Sequence, residues 1–126
     1  EIGWHDVTVD DTPEAEAWFG GHRRFTAYHW HGETFSLPQA ATRLLHSAHC
    51  AHQAFTLGKH LALQCHAEMT APMIQAWSVA GRAEIAANLG PTVQDAEAMV
   101  ALSPRHLPGL TQVAEHLYSH WIKGLA

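Results

Sequence analysis

A histidine and a glutamate stand two residues apart just past a short apolar run. His60-Leu61-Ala62-Leu63 leads through Gln64 and Cys65 to His66, Ala67 and Glu68. On an extended chain, residues i and i+2 project to the same face. His66 and Glu68 are therefore expected to point together while Cys65 and Ala67 point away. A carboxylate beside an imidazole holds one ring N–H, fixes the tautomer and supports the imidazolium when it forms. The other ring nitrogen is left free as a general base. Such a pair is the back part of a nucleophile–base–orienter triad. Taken alone, it reads first as two polar groups satisfying each other at a strand end.

The sequence offers this pair no obvious nucleophile. Cys65 adjoins His66, so its sulfur is expected on the opposite face. Cys50 lies in "SAHCAHQ", a loop-like stretch. Neither cysteine sits in a Gly-x-Ser-x-Gly or Gly-x-Cys-x-Gly elbow, the turn that exposes a nucleophile and supplies oxyanion N–H groups. Both read as small buried side chains. Metal chemistry is a rival. His29 and His31 lie two apart, and His46, His49 and His52 recur every third residue. His-x-His on a strand faces one side, and a loop can gather more ligands. With 12 histidines in 126 residues such spacings arise readily, and no Cys-x-x-Cys or His-Glu-x-x-His supports them. A surface or hydrogen-bonded histidine is the reading for each, with no metal and no cofactor assigned.

The elements that must position these groups fall into two parts. Residues 1–69 read as short strands: Trp4 to Val9, the aromatic run Phe25 to Trp30 ending before Gly32, a short strand at Leu44-Leu45, and two strands joined by Gly58-Lys59 at hairpin spacing. "DDTPEAE" reads as a turn. The apolar strand Leu61 to Leu63 suits a central position in a sheet whose carboxyl ends gather functional groups. Residues 70–126 read as helices. Met73, Ile74, Trp77, Gly81 and Ile85 share one face, and Leu89-Gly90-Pro91 stops that helix. Thr92 with Asp95 resembles a capping box opening a second helix with Val93, Ala96 and Val100 inward. Leu110, Val113, Leu117 and Trp121 mark a third. Strands followed by helices in so short a chain predict an α/β or α+β fold.

Composition sets the outer bounds. The chain is 47% apolar and 15% charged, with a formal net charge of −5. That balance gives no basic surface for nucleic acid or an anionic membrane. No apolar run reaches bilayer length, no signal peptide opens the chain, and two cysteines make no disulfide framework. A cytoplasmic protein with free thiols is expected. The first residues, "EIGWHDVTVD", are already strand-like and carry no initiator Met, which points to an upstream part on another segment.

Three stretches carry a family resemblance. "LALQCHAEMT" resembles the Q-[FY]-H-P-E segment of class I glutamine amidotransferases. "YHWHGETFSLPQAATRLLHSAHCAHQAF" resembles the middle of the same domain, in the subgroup near the amidotransferase domain of GMP synthase. "EIGW" resembles the Glu-x-Gly-Trp after its nucleophile helix. The likeness runs from Glu1 to about Trp77. It implies a flavodoxin-like three-layer α/β domain, present as its C-terminal portion. It also implies a glutaminase reaction with His66 as base and acid and Glu68 as its orienting partner, and so reverses the structural reading of that pair. Trp30 and His31 match the segment whose backbone helps hold glutamine. Cys65 stands where an aromatic is usual and Ala67 where proline is usual. The implied nucleophilic cysteine precedes the first residue of this chain. Implied partners are glutamine, the upstream half with that cysteine, an ammonia acceptor of unknown identity, and a second copy of the chain, since a lone C-terminal portion exposes strand edges and apolar surface. An inactive amidotransferase-like binding module is the alternative.

Overall fold

The computed structural model describes residues 1–125. Its five strands are β1 (Ile2–Val9), β2 (Arg24–Trp30), β3 (Thr42–Ser47), β4 (Ala54–Leu57) and β5 (His60–Leu63). They form one sheet in the order β2-β1-β3-β4-β5, antiparallel at every pairing. The helices are α1 (Pro13–Phe19), α2 (Ala71–Ala80), α3 (Arg82–Asn88) and α4 (Ala96–Lys123). The mixed α/β class expected from the sequence is observed.

The predicted strands form where aromatic and β-branched residues cluster. The Gly58-Lys59 hairpin closes as expected, with Leu57 paired to His60 and Gly58 at φ +59°, which glycine adopts without strain. The placement of Leu61 to Leu63 is corrected. β5 is an edge strand, its residues half-buried or exposed, because an apolar run this short fits a one-sided edge as well as a centre. His66 and Glu68 also lie beyond the strand, in irregular chain.

That irregular chain closes the sheet. The Gln64 N–H donates to the Gln53 carbonyl at 2.8 Å, and the His66 N–H donates to the Tyr28 carbonyl at 2.7 Å. Two residues span at most about 7 Å. The sheet therefore curls until the continuation of β5 meets the free side of β2.

"DDTPEAE" is not a turn but the start of α1. Thr12 caps it, its Oγ1 accepting the Ala15 N–H at 3.1 Å. Pro13 opens the first turn, and Glu14 and Glu16 favour the positive end of the helix. Turn residues and capping residues are the same residues, so the short sequence is ambiguous.

The helical part differs in its joints. The stripe from Met73 to Ile85 is broken at Gly81, where φ −88° and ψ 8° leave the helical region. Thr92 caps nothing. Asp95 is the cap of α4, its Oδ1 accepting the Ala98 N–H at 2.7 Å. Residues 92–94 pair with β1 instead: the Ile2 N–H donates to Thr92 O and the Gln94 N–H to Ile2 O. The Gln94 side chain continues this seam, accepting from Trp4 N–H and donating to Trp4 O, both at 2.9 Å. The second and third predicted helices merge into α4, 28 residues long with Pro104 and Pro108 inside. Both prolines are exposed, so water reaches the carbonyls their missing N–H groups release.

The helices cover one face of β1 and β2. Trp4 Nε1 donates to the Met99 carbonyl at 3.0 Å, and the Trp4 and Tyr28 rings meet edge to face at 5.1 Å. Tyr118, Trp121, Ile122 and Leu125, toward the end of the chain, remain exposed. Exposed apolar surface and an open strand edge are as the sequence leads one to expect, although the sequence reading places β5 at the centre of the sheet.

Candidate active site

His66 is placed by its own backbone bond to Tyr28, and α2 begins three residues past Glu68. Thr70 caps that helix, accepting the Met73 N–H. The tight passage from β2 edge to helix presses Cys65, Ala67 and Met69 into the core and leaves His66 half-buried and Glu68 exposed. The alternation expected of a strand thus survives in irregular chain. The two side chains meet, His66 Nδ1 lying 2.7 Å from Glu68 Oε1. With Nδ1 donating to the carboxylate, Nε2 is the basic nitrogen, and among the described residues nothing bonds it.

One wall of this corner is aromatic. The Trp77 ring of α2 stands edge to face against His66 at 5.0 Å and against Trp30 at 5.8 Å. Trp30 Nε1 donates to Glu84 of α3 at 3.1 Å. Trp30 is thus two rings from His66. His31, the next residue of the chain, turns to the opposite face. Its Nδ1 faces the Glu33 carbonyl at 3.1 Å, and its Nε2 lies 3.3 Å from Glu1 Oε2. The side chains of Trp30 and His31 are not brought together.

The chain's own thiols are poor partners for His66. Cys65 is buried, and burial pushes its thiol up to about 12, far from the thiolate a nucleophile needs. Cys50 is half-buried, its Sγ accepting from Gln64 Nε2 at 3.1 Å and lying 3.3 Å from Thr34 Oγ1. Cys50 is therefore less buried than the sequence leads one to expect.

The histidine triplet does not assemble. His46 Nδ1 pairs with Asp10 at 2.7 Å, His52 Nδ1 faces the Phe35 carbonyl at 2.8 Å, and His49 is exposed. A different cluster forms on the inner face of the curled sheet, where Glu1, His29 and His31 converge. Ser47 Oγ and Gln53 Nε2 donate to the Glu1 carboxylate at 2.9 and 2.6 Å. Burial opposes ionisation of Glu1. The nearby His31 and His29 rings and the Ser47 hydroxyl outweigh it and hold the carboxyl below its usual range. Burial holds His29 well below the usual imidazole value, so the ring is neutral at pH 7. Ser47 and Gln53 supply the direct hydrogen bonds to the carboxylate. The sequence marks Glu1 only as the first residue of "EIGW" and not as part of a cluster, because its partners are 28 or more residues away.

A cavity of about 490 Å³ opens on this inner face, lined by Glu1, His5, His46, His49 and His106 among others. It does not include His66, whose Nε2 serves an open surface. No helix among the described residues is long and apolar enough to cross a membrane.

No family model matches the sequence, and no curated protein matches it. Solved structures do. The glutamine amidotransferase of Methylobacillus flagellatus is 35% identical, with a TM-score of 0.92 over 98% of this chain and 52% of its own. A glutamine amidotransferase of Thermotoga maritima is 27% identical, with a TM-score of 0.82 over 97% of this chain and 50% of its own. The protein SMU.1228c, 24% identical with a TM-score of 0.78, shows the fold alone. The chain spans about half the length of each. This chain has the fold of glutamine amidotransferase structures, over about half of their length.

Proposed function

We propose that this chain supplies the base and its orienting carboxylate to a class I glutamine amidotransferase of the GMP-synthase-like subgroup. The observation that carries the reading is the 2.7 Å contact between His66 Nδ1 and Glu68, with Nε2 left unbonded. Glu68 fixes the tautomer, so Nε2 accepts a proton. The thiol that gives it up lies on a segment outside this chain, the upstream half of the same domain.

In this reading His66 Nε2 takes the thiol proton as sulfur bonds to the side-chain amide carbon of glutamine. The C–N bond then breaks, and His66 returns the proton to the leaving ammonia. Water next attacks the thioester, with His66 again as base, releasing glutamate and restoring the thiol. The backbone at Trp30 and His31 helps hold the glutamine. Ammonia passes to an acceptor that this chain does not define, in the cytoplasm. The open β5 edge and the exposed apolar residues at the end of α4 are where the other half, or a second copy, packs.

The test is ammonia release from glutamine by the longer protein that contains this chain. His66→Ala is expected to abolish it, while Cys65→Ala leaves most of it. Normal turnover in folded His66→Ala would overturn the assignment, and so would loss of activity in folded Cys65→Ala.

A further inference from the structure

We propose that Glu1, His29 and His31 form a binding site for one divalent transition-metal ion of the zinc class. One carboxylate oxygen and two imidazole nitrogens lie within 4.8 Å of one another. Glu1 Oε2 is 3.3 Å from His31 Nε2 and 3.9 Å from His29 Nδ1. Ligands held about 2.1 Å from a tetrahedral zinc stand about 3.4 Å from each other. Small side-chain rotations therefore bring this set to coordination distance.

The second observation concerns His29 itself. Its side chain is fully buried, and among the described residues neither ring nitrogen has a hydrogen-bond partner. His31 Nε2 is likewise buried and without hydrogen-bond geometry. A buried polar group without a partner costs about 1–3 kcal/mol, and here three imidazole nitrogens share one corner. An ion bound to His29 Nδ1 and His31 Nε2 satisfies two of them at once.

The surroundings fit a metal. Imidazole nitrogen and carboxylate oxygen are together a donor set that zinc takes. The Glu1 carboxylate is oriented by Ser47 and Gln53, as outer hydrogen bonds orient metal-bound carboxylates. Gln53 Oε1 is a further buried acceptor without a partner. Three protein ligands leave a fourth position open, the pattern of sites that keep a water or bind a small ligand. An entry path exists: a cleft of about 230 Å³ lined by His31, Glu33, Thr34, His49 and Cys50 reaches Glu1.

The experiment is zinc binding by the chelator-stripped protein in competition with a chromophoric chelator. One tight zinc per chain is expected. The same result is expected in a His46→Ala/His49→Ala variant, which removes two histidines outside the cluster. Glu1→Gln and His31→Gln are each expected to weaken binding by more than about 100-fold, beyond what losing an outer hydrogen bond costs. Glu1→Gln keeps the side-chain shape, so circular dichroism and the melting curve without metal show whether its fold is intact. Cobalt in place of zinc is expected to give strong tetrahedral d–d absorption in the unmodified protein and not in Glu1→Gln. The proposal is overturned if the unmodified protein fails to compete. It is equally overturned if folded Glu1→Gln binds as tightly as the parent, because scattered histidines then hold the ion.

Discussion

Replacing Gly81 with alanine tests how tightly the aromatic wall beside His66 is built. Gly81 has φ −88°, which alanine adopts freely. On backbone grounds alone, Gly→Ala stabilises by about 0.4–1 kcal/mol through the unfolded chain. Packing opposes this, because a Cβ at position 81 would overlap Cζ2 and Cη2 of Trp30. The Trp30 ring is not free to yield. Its Nε1 is bonded to Glu84 and its face meets Trp77. Overpacking of this kind costs about 1–3 kcal/mol. The packing cost wins, and Gly81→Ala is expected to lose about 1–2 kcal/mol net, a fall in Tm of about 3–6 °C. Urea unfolding measures the loss. A double-mutant cycle assigns its cause: in Trp30→Ala the obstructing ring is gone, and the same glycine substitution becomes neutral or slightly stabilising. The difference is a coupling energy of about 1–3 kcal/mol. The ring-proton signals of His66 are also expected to move, because Trp77 joins Trp30 to His66. A Gly81→Ala protein at least as stable as its parent would refute the packing reasoning.

Other expectations follow from single contacts. Glu68→Gln in the longer protein keeps the side-chain shape but loses the charge beside His66 Nδ1, and kcat for glutamine hydrolysis is expected to fall about 100-fold with KM little changed; an unchanged kcat would make Glu68 irrelevant to the base. With its thiol pushed up to about 12, Cys65 stays protonated at pH 8, so iodoacetamide on the folded protein adds one adduct, at Cys50, as mass spectrometry would show; rapid double labelling would contradict the burial of Cys65. Asp6 accepts from Thr26 and Arg24, and the Thr26 hydroxyl, with help from Arg24, outweighs burial to lower its carboxyl. A lowered folded value gives stability that is present above the unfolded value of about 3.9 and is lost as pH falls through the folded one. Because Asp6 is 44% exposed, Asp6→Asn is expected to cost only about 0.5–1 kcal/mol at pH 7, and the two unfolding curves converge as pH falls through the lowered folded value; a constant gap across pH would count against the linkage.

Local chemistry was legible in the sequence where one short segment carries it. The His66–Glu68 pair and the Gly58-Lys59 hairpin depend on residues within a few positions of one another; the hairpin forms as read, and the two side chains meet although in irregular chain rather than on a strand. What escaped depends on distant partners. Nothing near Leu61 reveals that β5 is an edge, since edge and centre differ only in what lies alongside. Thr92 and Asp95 both suit a helix cap, and the choice is made by β1, which recruits residues 92–94 for its own unpaired side. Thr12 and Pro13 serve a turn or a helix start equally well, and burial of Trp18 and Phe19 decides for the helix. The cluster of Glu1, His29 and His31 is visible only after the sheet has curled.

The closure of that sheet also bears on how the chain reaches its native state. The His66–Tyr28 bond that closes the sheet joins residues 38 positions apart, and other bonds of the native arrangement reach further: Glu1 to Gln53 across 52 positions, and Trp4 to Gln94 across 90. Each must repay the entropy of closing a long loop before it contributes anything. Hairpins such as β4–β5 and turns of α4 have no such debt and form early. The corner holding His66 needs β2 to be in place before Tyr28 can receive its N–H. Refolding is therefore expected to be slow for a chain of this length, with the fluorescence of Trp4 and Trp77 recovering after helical circular dichroism. The chemical corner would be among the last parts of the molecule to acquire its shape.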